Sequence, residues 1–542
     1  MTVDLIMHSG RVFDGHAVHP TATTLAVADG LVAAVGTEAE VRASVGAARE
    51  VVDLGGRMVV PGFVDAHVHA VLGGVELGQC ALDECADEPA ALAAVARYAG
   101  AHASRPWVLG GGWQMTAFAG GRPTLAALDG VLPDRPAFLL DSAHHTAWVN
   151  SRALAVAGID AGTPDPADGR IERDPGGRPS GLLHEGAMKL VQAVLPPTDE
   201  SELDAGLDTA QAYLHSFGIT GWQDALVGRY AAFPDVYGAY VRAASDGRLT
   251  ARVRGALWWP RETVADDVAA TVAALAAKRD AAPAGRFAAG TVKIMQDGVA
   301  ETATAAVLEP YVRCRCSGSG LSYFAPDLLN AMVTALDAAE FQVHVHAIGD
   351  RAVREALDAF AAAGPSRHRH HIAHLQLVDD ADIHRFAALD VTANLQAFWA
   401  CHSSHMRETC LPVLGPERTE RQFPFGSLSR AGARLAMGSD WPVTTPDPFA
   451  AIHVAVNRRE PGRPDAERLG TDQALDLTTA LSAYTAGSSR VNHLDAAGTI
   501  RPGALADLAV LETDPFALPP ADLHRVRTDL TLVGGHPVFE RR

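Results

Sequence analysis

The first sixty residues run as short apolar stretches cut by glycine turns: LIMHSGRVFDG, TLAVADGLVAAVG, EVVDLGGRMVVPG. Short β-type runs bounded by glycines predict strands and hairpins. The same texture returns in GTIRPGALADLAVLE and DLTLVGGHPVFE near the end. Residues 1–60 and 492–542 are therefore expected to build one small composite β-sandwich flanking whatever lies between. From Pro61 onward, short apolar strands alternate with Ala/Leu-rich helical stretches such as RAVREALDAFAAAG. The strand candidates are GFVDAHVHA, GITGWQDA, ARVRGALWW, GTVKIMQDG, FQVHVHAIGD, HHIAHLQLV, DVTANLQAF and ARLAMGSDWPV. Eight strands interleaved with helices predict an α/β fold, a (β/α)8 TIM barrel over residues 61–491. An insertion at about residues 71–197, rich in Gly, Pro and Asp, follows barrel strand one and is expected to form a lid or side domain.

Bulk properties narrow the partners. The 542 residues are too many for one ordinary core, which agrees with a barrel plus a second domain. With 45 basic and 64 acidic residues the formal charge is −19, so the average surface repels nucleic acid and anionic membranes. No apolar run reaches the roughly 18 residues that a membrane span needs. The N-terminus shows no basic leader followed by an apolar core, so a cytoplasmic location is expected. A small-molecule substrate is expected, with no nucleic acid or membrane partner, and a homo-oligomer is compatible with the sequence. The six cysteines, Cys80, Cys85, Cys314, Cys316, Cys401 and Cys410, show no disulfide or zinc-finger spacing and are expected to be structural or incidental.

Unusual polar residues gather at the C-terminal ends of the candidate strands, where barrels carry their chemistry. His67 and His69 are two apart on an extended strand and share a face. His346, His374 and Asp440 end candidate strands five, six and eight. Imidazoles with a carboxylate are a donor set for a divalent metal. His344 shares parity with His346 and could support it from behind, whereas His370 and His371 could simply be solvated. Lys293 sits in the apolar run VKIM of strand four, where an unpaired charge is costly; an ion pair with Asp297 or Glu301 is one resolution.

The motifs PGFVDAHVH, HHTAWVNSRAL, GLLHEGA, VKIMQDG, HAIGDRAV, GSDWPV and GTIRPGALADLAVL occur in order from about residue 55 to 515. In these the chain resembles the amidohydrolase superfamily, in its branch of YtcJ-like and N-substituted formamide deformylase-like hydrolases (amidohydrolase family 3). The resemblance implies a β-sandwich from both termini around a metal-bearing barrel, and a water or hydroxide activated by one or two divalent metals, zinc first among them. It implies His67, His69 and Asp440 on the more buried metal and His346 and His374 on the second. Lys293 would bridge both as a carbamate formed with carbon dioxide. Asp440 would act as general base and then general acid in cleaving a non-peptide C–N bond of an amide, N-formyl or cyclic amide group. Trp113 and His145 match positions that the family often fills with aromatic or histidine residues near the substrate, and Gln396 and Trp441 are further candidates to line the pocket. Where relatives commonly read Arg-x-Glu-His before the strand-six ligand, this chain reads His371-Ile372-Ala373-His374.

Two other readings stand beside this one. A mononuclear zinc deaminase of the same superfamily usually carries an acid in a His-x-x-Glu pattern after strand five and lacks the strand-four lysine. A non-enzymatic scaffold relative would be expected to have lost metal ligands, and here each ligand type is present.

Overall fold

A computed structural model of the chain describes residues 3–142, 146–166, 169–230, 233–312 and 318–541. The chain forms two compact units, one of Met1–His69, Gln211–Gly228 and Tyr240–Arg542, the other of Ala70–Ala210 and Arg229–Ala239.

The first unit contains an eight-stranded parallel sheet in strand order along the chain. Its strands are Phe63–Val68, Ile219–Val227, Arg252–Trp258, Phe287–Met295, Gln342–Ala347, His371–His374, Thr392–Leu395 and Arg434–Met437, numbered one to eight below. They are the eight expected, and the fold is a (β/α)8 barrel. Parallel pairing sets Lys293 beside His344, Met295 beside His346, and Ala347 beside His374, so side chains that are distant in sequence reach one level. The barrel closes between strands eight and one through side chains and the turn after strand eight. Asp440 donates its backbone N–H to the His67 carbonyl at 2.8 Å, and Ser439 donates its own to Asp65 Oδ1 at 3.0 Å. Gly438 is required here, because a Cβ at that position would stand 2.5 Å from the His67 nitrogen.

Both chain ends supply the remaining sheets of this unit. A four-stranded sheet holds Leu31–Gly36, Thr24–Ala28, Val3–His8 and Ala48–Asp53, and a five-stranded sheet holds Arg11–Val12, Met58–Pro61, Leu508–Leu511, Thr528–Val533 and His536–Glu540. Met58–Pro61 pairs antiparallel with Leu508–Leu511, which joins segments some 450 residues apart in sequence. Their shared core includes Leu5, Met7, Leu25, Val27, Val59, Leu508, Val510 and Leu532. The second unit is built on a six-stranded sheet, Gly169–Arg173, Pro179–Glu185, Thr146–Val149, Ala137–Asp141, Val108–Trp113 and Cys80–Ala81 in that order. Among the described residues no helix is long and apolar enough to cross a membrane.

An ion pair ties barrel strand three to the terminal sheet. Arg252 donates from Nε and Nη2 to the two oxygens of Asp507, and Asp507 Oδ1 also accepts from the Gly534 N–H at 2.7 Å. Asp507 is 2% exposed, so losing its charge leaves a guanidinium facing a dry, half-satisfied site. Asp507→Asn is expected to lower the unfolding free energy by about 3 kcal/mol, read from chemical denaturation.

Candidate metal centre

Four of the expected ligands meet at the C-terminal end of the barrel. His67 Nε2 and His69 Nε2 each stand 3.2 Å from Asp440 Oδ1. His67, His374 and Asp440 present donor atoms within 4.8 Å of one another. The His346 ring lies 4.3 Å from the His374 ring, centroid to centroid. Two of these residues sit in left-handed backbone, His374 at φ 79° and Asp440 at φ 61°, a conformation that costs a non-glycine residue of order 1–3 kcal/mol and clusters at functional sites. Gln396 helps hold the first of them by accepting the His374 N–H at 2.6 Å.

Burial keeps the imidazoles neutral. His67 and His346 are pushed down to about 3, first by burial and then by the Lys293 charge. His374 is held well below its ordinary value by burial and then by His346. Burial alone would raise the Asp440 carboxyl, but the imidazoles gathered around it, His67, His69 and His374, outweigh that and hold it well below the usual range. Neutral imidazoles around a carboxylate that stays anionic are a cation-binding set.

A hydrogen-bond relay fixes which nitrogen of His67 is bare. Gln342 Nε2 donates to the Arg369 and Val491 carbonyls at 2.8 and 2.6 Å, so its Oε1 must accept, taking Thr291 Oγ1 at 2.7 Å and Gln223 Nε2 at 3.1 Å. Gln223 Nε2 also donates to Asn492 Oδ1 at 3.0 Å, which turns Gln223 Oε1 toward His344 Nδ1 at 2.7 Å. An amide oxygen only accepts, so His344 carries its proton on Nδ1. Neutral and fully buried, His344 then offers a bare Nε2 to His67 Nδ1 at 3.0 Å. His67 therefore keeps its proton on Nδ1 and presents the Nε2 lone pair beside Asp440. His346 reaches the same condition another way: its Nε2 donates to the Gly298 carbonyl at 3.1 Å and leaves Nδ1 bare. Metal-binding histidines are oriented by such partners on the far nitrogen, and the donor set fits a divalent cation.

Lys293 is 4% exposed, with Nζ 3.3 Å from His344 Nε2. Burial lowers its ammonium to about 7, although Asp440 opposes the shift. The ion pair with Asp297 or Glu301 is not formed. Asp297 instead accepts the backbone N–H groups of Ala306, Ile348 and Gly349 at 2.9, 3.0 and 2.8 Å, and Glu301 faces His405 at 3.6 Å.

The solvated reading of His370 and His371 is corrected. His370 is 4% exposed, accepts the Val343 N–H on Nδ1 and pairs with Asp337 at 3.0 Å; His371 is fully buried against the His344 ring. Both lie at the inner start of strand six, where the barrel packing excludes water.

Of the four residues expected near substrate, the structure describes three. Gln396 is occupied by the His374 N–H and by Asn394 Oδ1. Trp441 is buried beside Tyr213, with ring centroids 5.4 Å apart, and its carbonyl accepts the His69 N–H. Trp113 is buried in the second unit, where its indole donates to the Leu139 carbonyl at 2.9 Å. His145 lies outside the described residues. Sequence reasoning overlooked Asp65, Gln223, Gln342 and Asn394. Their signal was the one that exposed Lys293, a polar residue among apolar positions of a barrel strand.

The Amidohydrolase family model matches residues 50–539. The chain belongs to the amidohydrolase family. It is 30% identical over 529 residues to the protein LONG AFTER FAR-RED 3 of Arabidopsis thaliana, covering 95% of this chain and 88% of that one. It is 28% identical over 566 residues to the N-substituted formamide deformylase of Arthrobacter pascens, covering 99% and 98%. Among solved structures, an uncharacterized metal-dependent hydrolase from Pyrococcus horikoshii OT3 superposes with a TM-score of 0.76 at 24% identity, covering 95% of this chain and 99% of that one.

The relay makes His344 a positioning residue for His67. His344→Leu is expected to weaken divalent-metal affinity by about 10–100-fold with the fold retained, measured by competition against a chromophoric chelator.

Proposed function

We propose that this amidohydrolase cleaves a non-peptide C–N bond, in an amide, an N-formyl group or a cyclic amide of a small molecule, with Asp440 as the proton carrier. The observation that carries the reading is the convergence of His67 Nε2, His69 Nε2 and His374 on an anionic Asp440, at the barrel end where this fold carries its chemistry. The name of the Arthrobacter relative, which acts on N-substituted formamides, supports the N-formyl member of that class.

The donor set accepts zinc first, and also iron, cobalt or manganese. A divalent cation held there lowers the pKa of water and polarises a carbonyl. The chain's own groups handle the protons. Asp440 takes a proton from the attacking water and returns it to the departing nitrogen, so the amine leaves neutral. His67 Nε2 and His69 Nε2 stand 3.2 Å from Asp440 Oδ1, a spacing that donors to one shared cation would take.

Lys293 completes the reading. A buried amine with no carboxylate partner among the described residues, beside a cation site, is a conflict of like charges. Carbon dioxide resolves it: the ammonium gives up one proton, the free amine nitrogen bonds the carbon and a second N–H proton leaves to solvent, so a cation becomes an anion. The chain should then gain about 44 Da on Lys293, a charge-changing covalent modification, visible by mass spectrometry under bicarbonate. An unmodified lysine in the metal-loaded protein would remove the bridging role and leave the histidine–aspartate set standing.

A metal-replete screen over N-formyl amines, N-acyl amino acids and cyclic amides tests the reaction class. Hydrolysis should vanish on chelation and return with divalent metal. Asp440→Asn should lose a factor of about 10²–10⁴ in turnover while its circular dichroism and melting temperature stay close to those of the parent chain. Full activity in that variant would falsify the role of Asp440. Turnover confined to amino-heterocycles, with one metal per chain, would make the chain a mononuclear deaminase.

A further inference from the structure

Away from the histidine–aspartate centre, three donors of different chemistry come together on loops that follow barrel strands four and seven. Glu301 follows strand four, and His405 and Cys410 lie between strands seven and eight. His405 Nε2 stands 3.6 Å from Glu301 Oε1, and Cys410 Sγ stands 3.8 Å from Glu301 Oε2. Donor atoms from the three residues lie within 4.8 Å of one another.

Local backbone explains why residues five apart can share a site. Met406–Cys410 is a π-helical turn that begins directly after His405. At 3.6 residues per turn, positions five apart point roughly 140° away from each other. The wider π turn brings them back toward one face, and such turns are frequent at functional sites. Cys410 is 3% exposed, and the Glu301 and His405 side chains are 19% and 28% exposed. The cluster is thus sheltered yet reachable by an ion.

We propose that Glu301, His405 and Cys410 form a second cation site, for zinc or another thiophilic divalent metal, that clips the strand-four loop to the strand-seven segment. A tetrahedral zinc with ordinary Zn–S, Zn–N and Zn–O bonds separates its donors by roughly 3.3–3.6 Å. The observed separations need only a small contraction. A thiolate, an imidazole and a carboxylate match zinc in softness, and three protein ligands leave a fourth position for water or a substrate group. Loading replaces the Cys410 thiol proton with the cation, that proton passes to solvent, and His405 binds through a bare ring nitrogen. This assignment departs from the expectation that the cysteines are incidental, and it does not depend on the amide-hydrolase reading.

Sulfur makes the proposal testable separately from the histidine–aspartate centre, whose donors are nitrogen and oxygen only. The protein stripped of metal and titrated with Co²⁺ should develop a thiolate-to-cobalt charge-transfer band in the near-ultraviolet. The band should persist when His67 and His69 are both changed to alanine. It should be absent in Cys410→Ser, which should also bind one cobalt fewer per chain, and weaker in His405→Gln. No such band in the parent chain at saturating cobalt overturns the site. A band that survives Cys410→Ser overturns it as well, because another thiol then supplies the sulfur. Should Cys410→Ser fail to fold, His405→Gln and Glu301→Gln decide the matter: a band unchanged in intensity and cobalt affinity in both rules the site out.

Discussion

Most of the polar side chains at the C-terminal end of this barrel are buried, and charge there has to be rationed as a result. Two protonated rings at the 4.8 Å separation of His67 and His344 would repel by about 3 kcal/mol at an effective dielectric near 20. The burial of each cation would add to that cost. The stable solution is a set of neutral imidazoles around a single ionised carboxylate, Asp440. Neutral imidazoles can act as ligands and protonated ones cannot, so the packing that closes the barrel also leaves its end lined with donors fit for a cation.

Neutrality alone does not aim a lone pair. That is done by amides buried within the barrel: Gln342, Gln223 and Asn492 are locked against backbone carbonyls and each other, and their orientation passes through His344 to His67. Each group in this chain has one acceptable orientation, because a reversed amide would leave two like atoms facing each other in a dry core. The closing seam works alongside it. Asn394 donates to the Ala66 carbonyl, and Asp65 accepts the His67 and Ser439 N–H groups, so the two strands bearing His67 and Asp440 are held at a fixed separation.

The sandwich and barrel were legible because their signals are local. Glycine-bounded apolar runs and strand–helix alternation require only neighbouring residues, and the candidate ligand histidines stood out by lying at the ends of strands one, five and six. His370 and His371 show the limit of that reasoning. A histidine at the start of a strand reads as exposed until the neighbouring strand and the Asp337 carboxylate close over it. Trp113 and Gln396 show the same limit in another form. Each carries a side chain able to meet a ligand, and each is engaged by a backbone group, the Leu139 carbonyl and the His374 N–H.

By itself the sequence determined the element order, the barrel, the joining of both termini in β structure, and the family's ligand types at their strand ends. Periodicity and motif carry that information, and both are properties of a linear chain. Only the tertiary structure decided which nitrogen of His67, His344 and His346 is bare, that Lys293 Nζ stands beside a ring nitrogen of His344, and that Cys410 meets His405 and Glu301. Those facts depend on distances of about 3–4 Å between segments far apart in sequence, where hydrogen bonding and charge are settled.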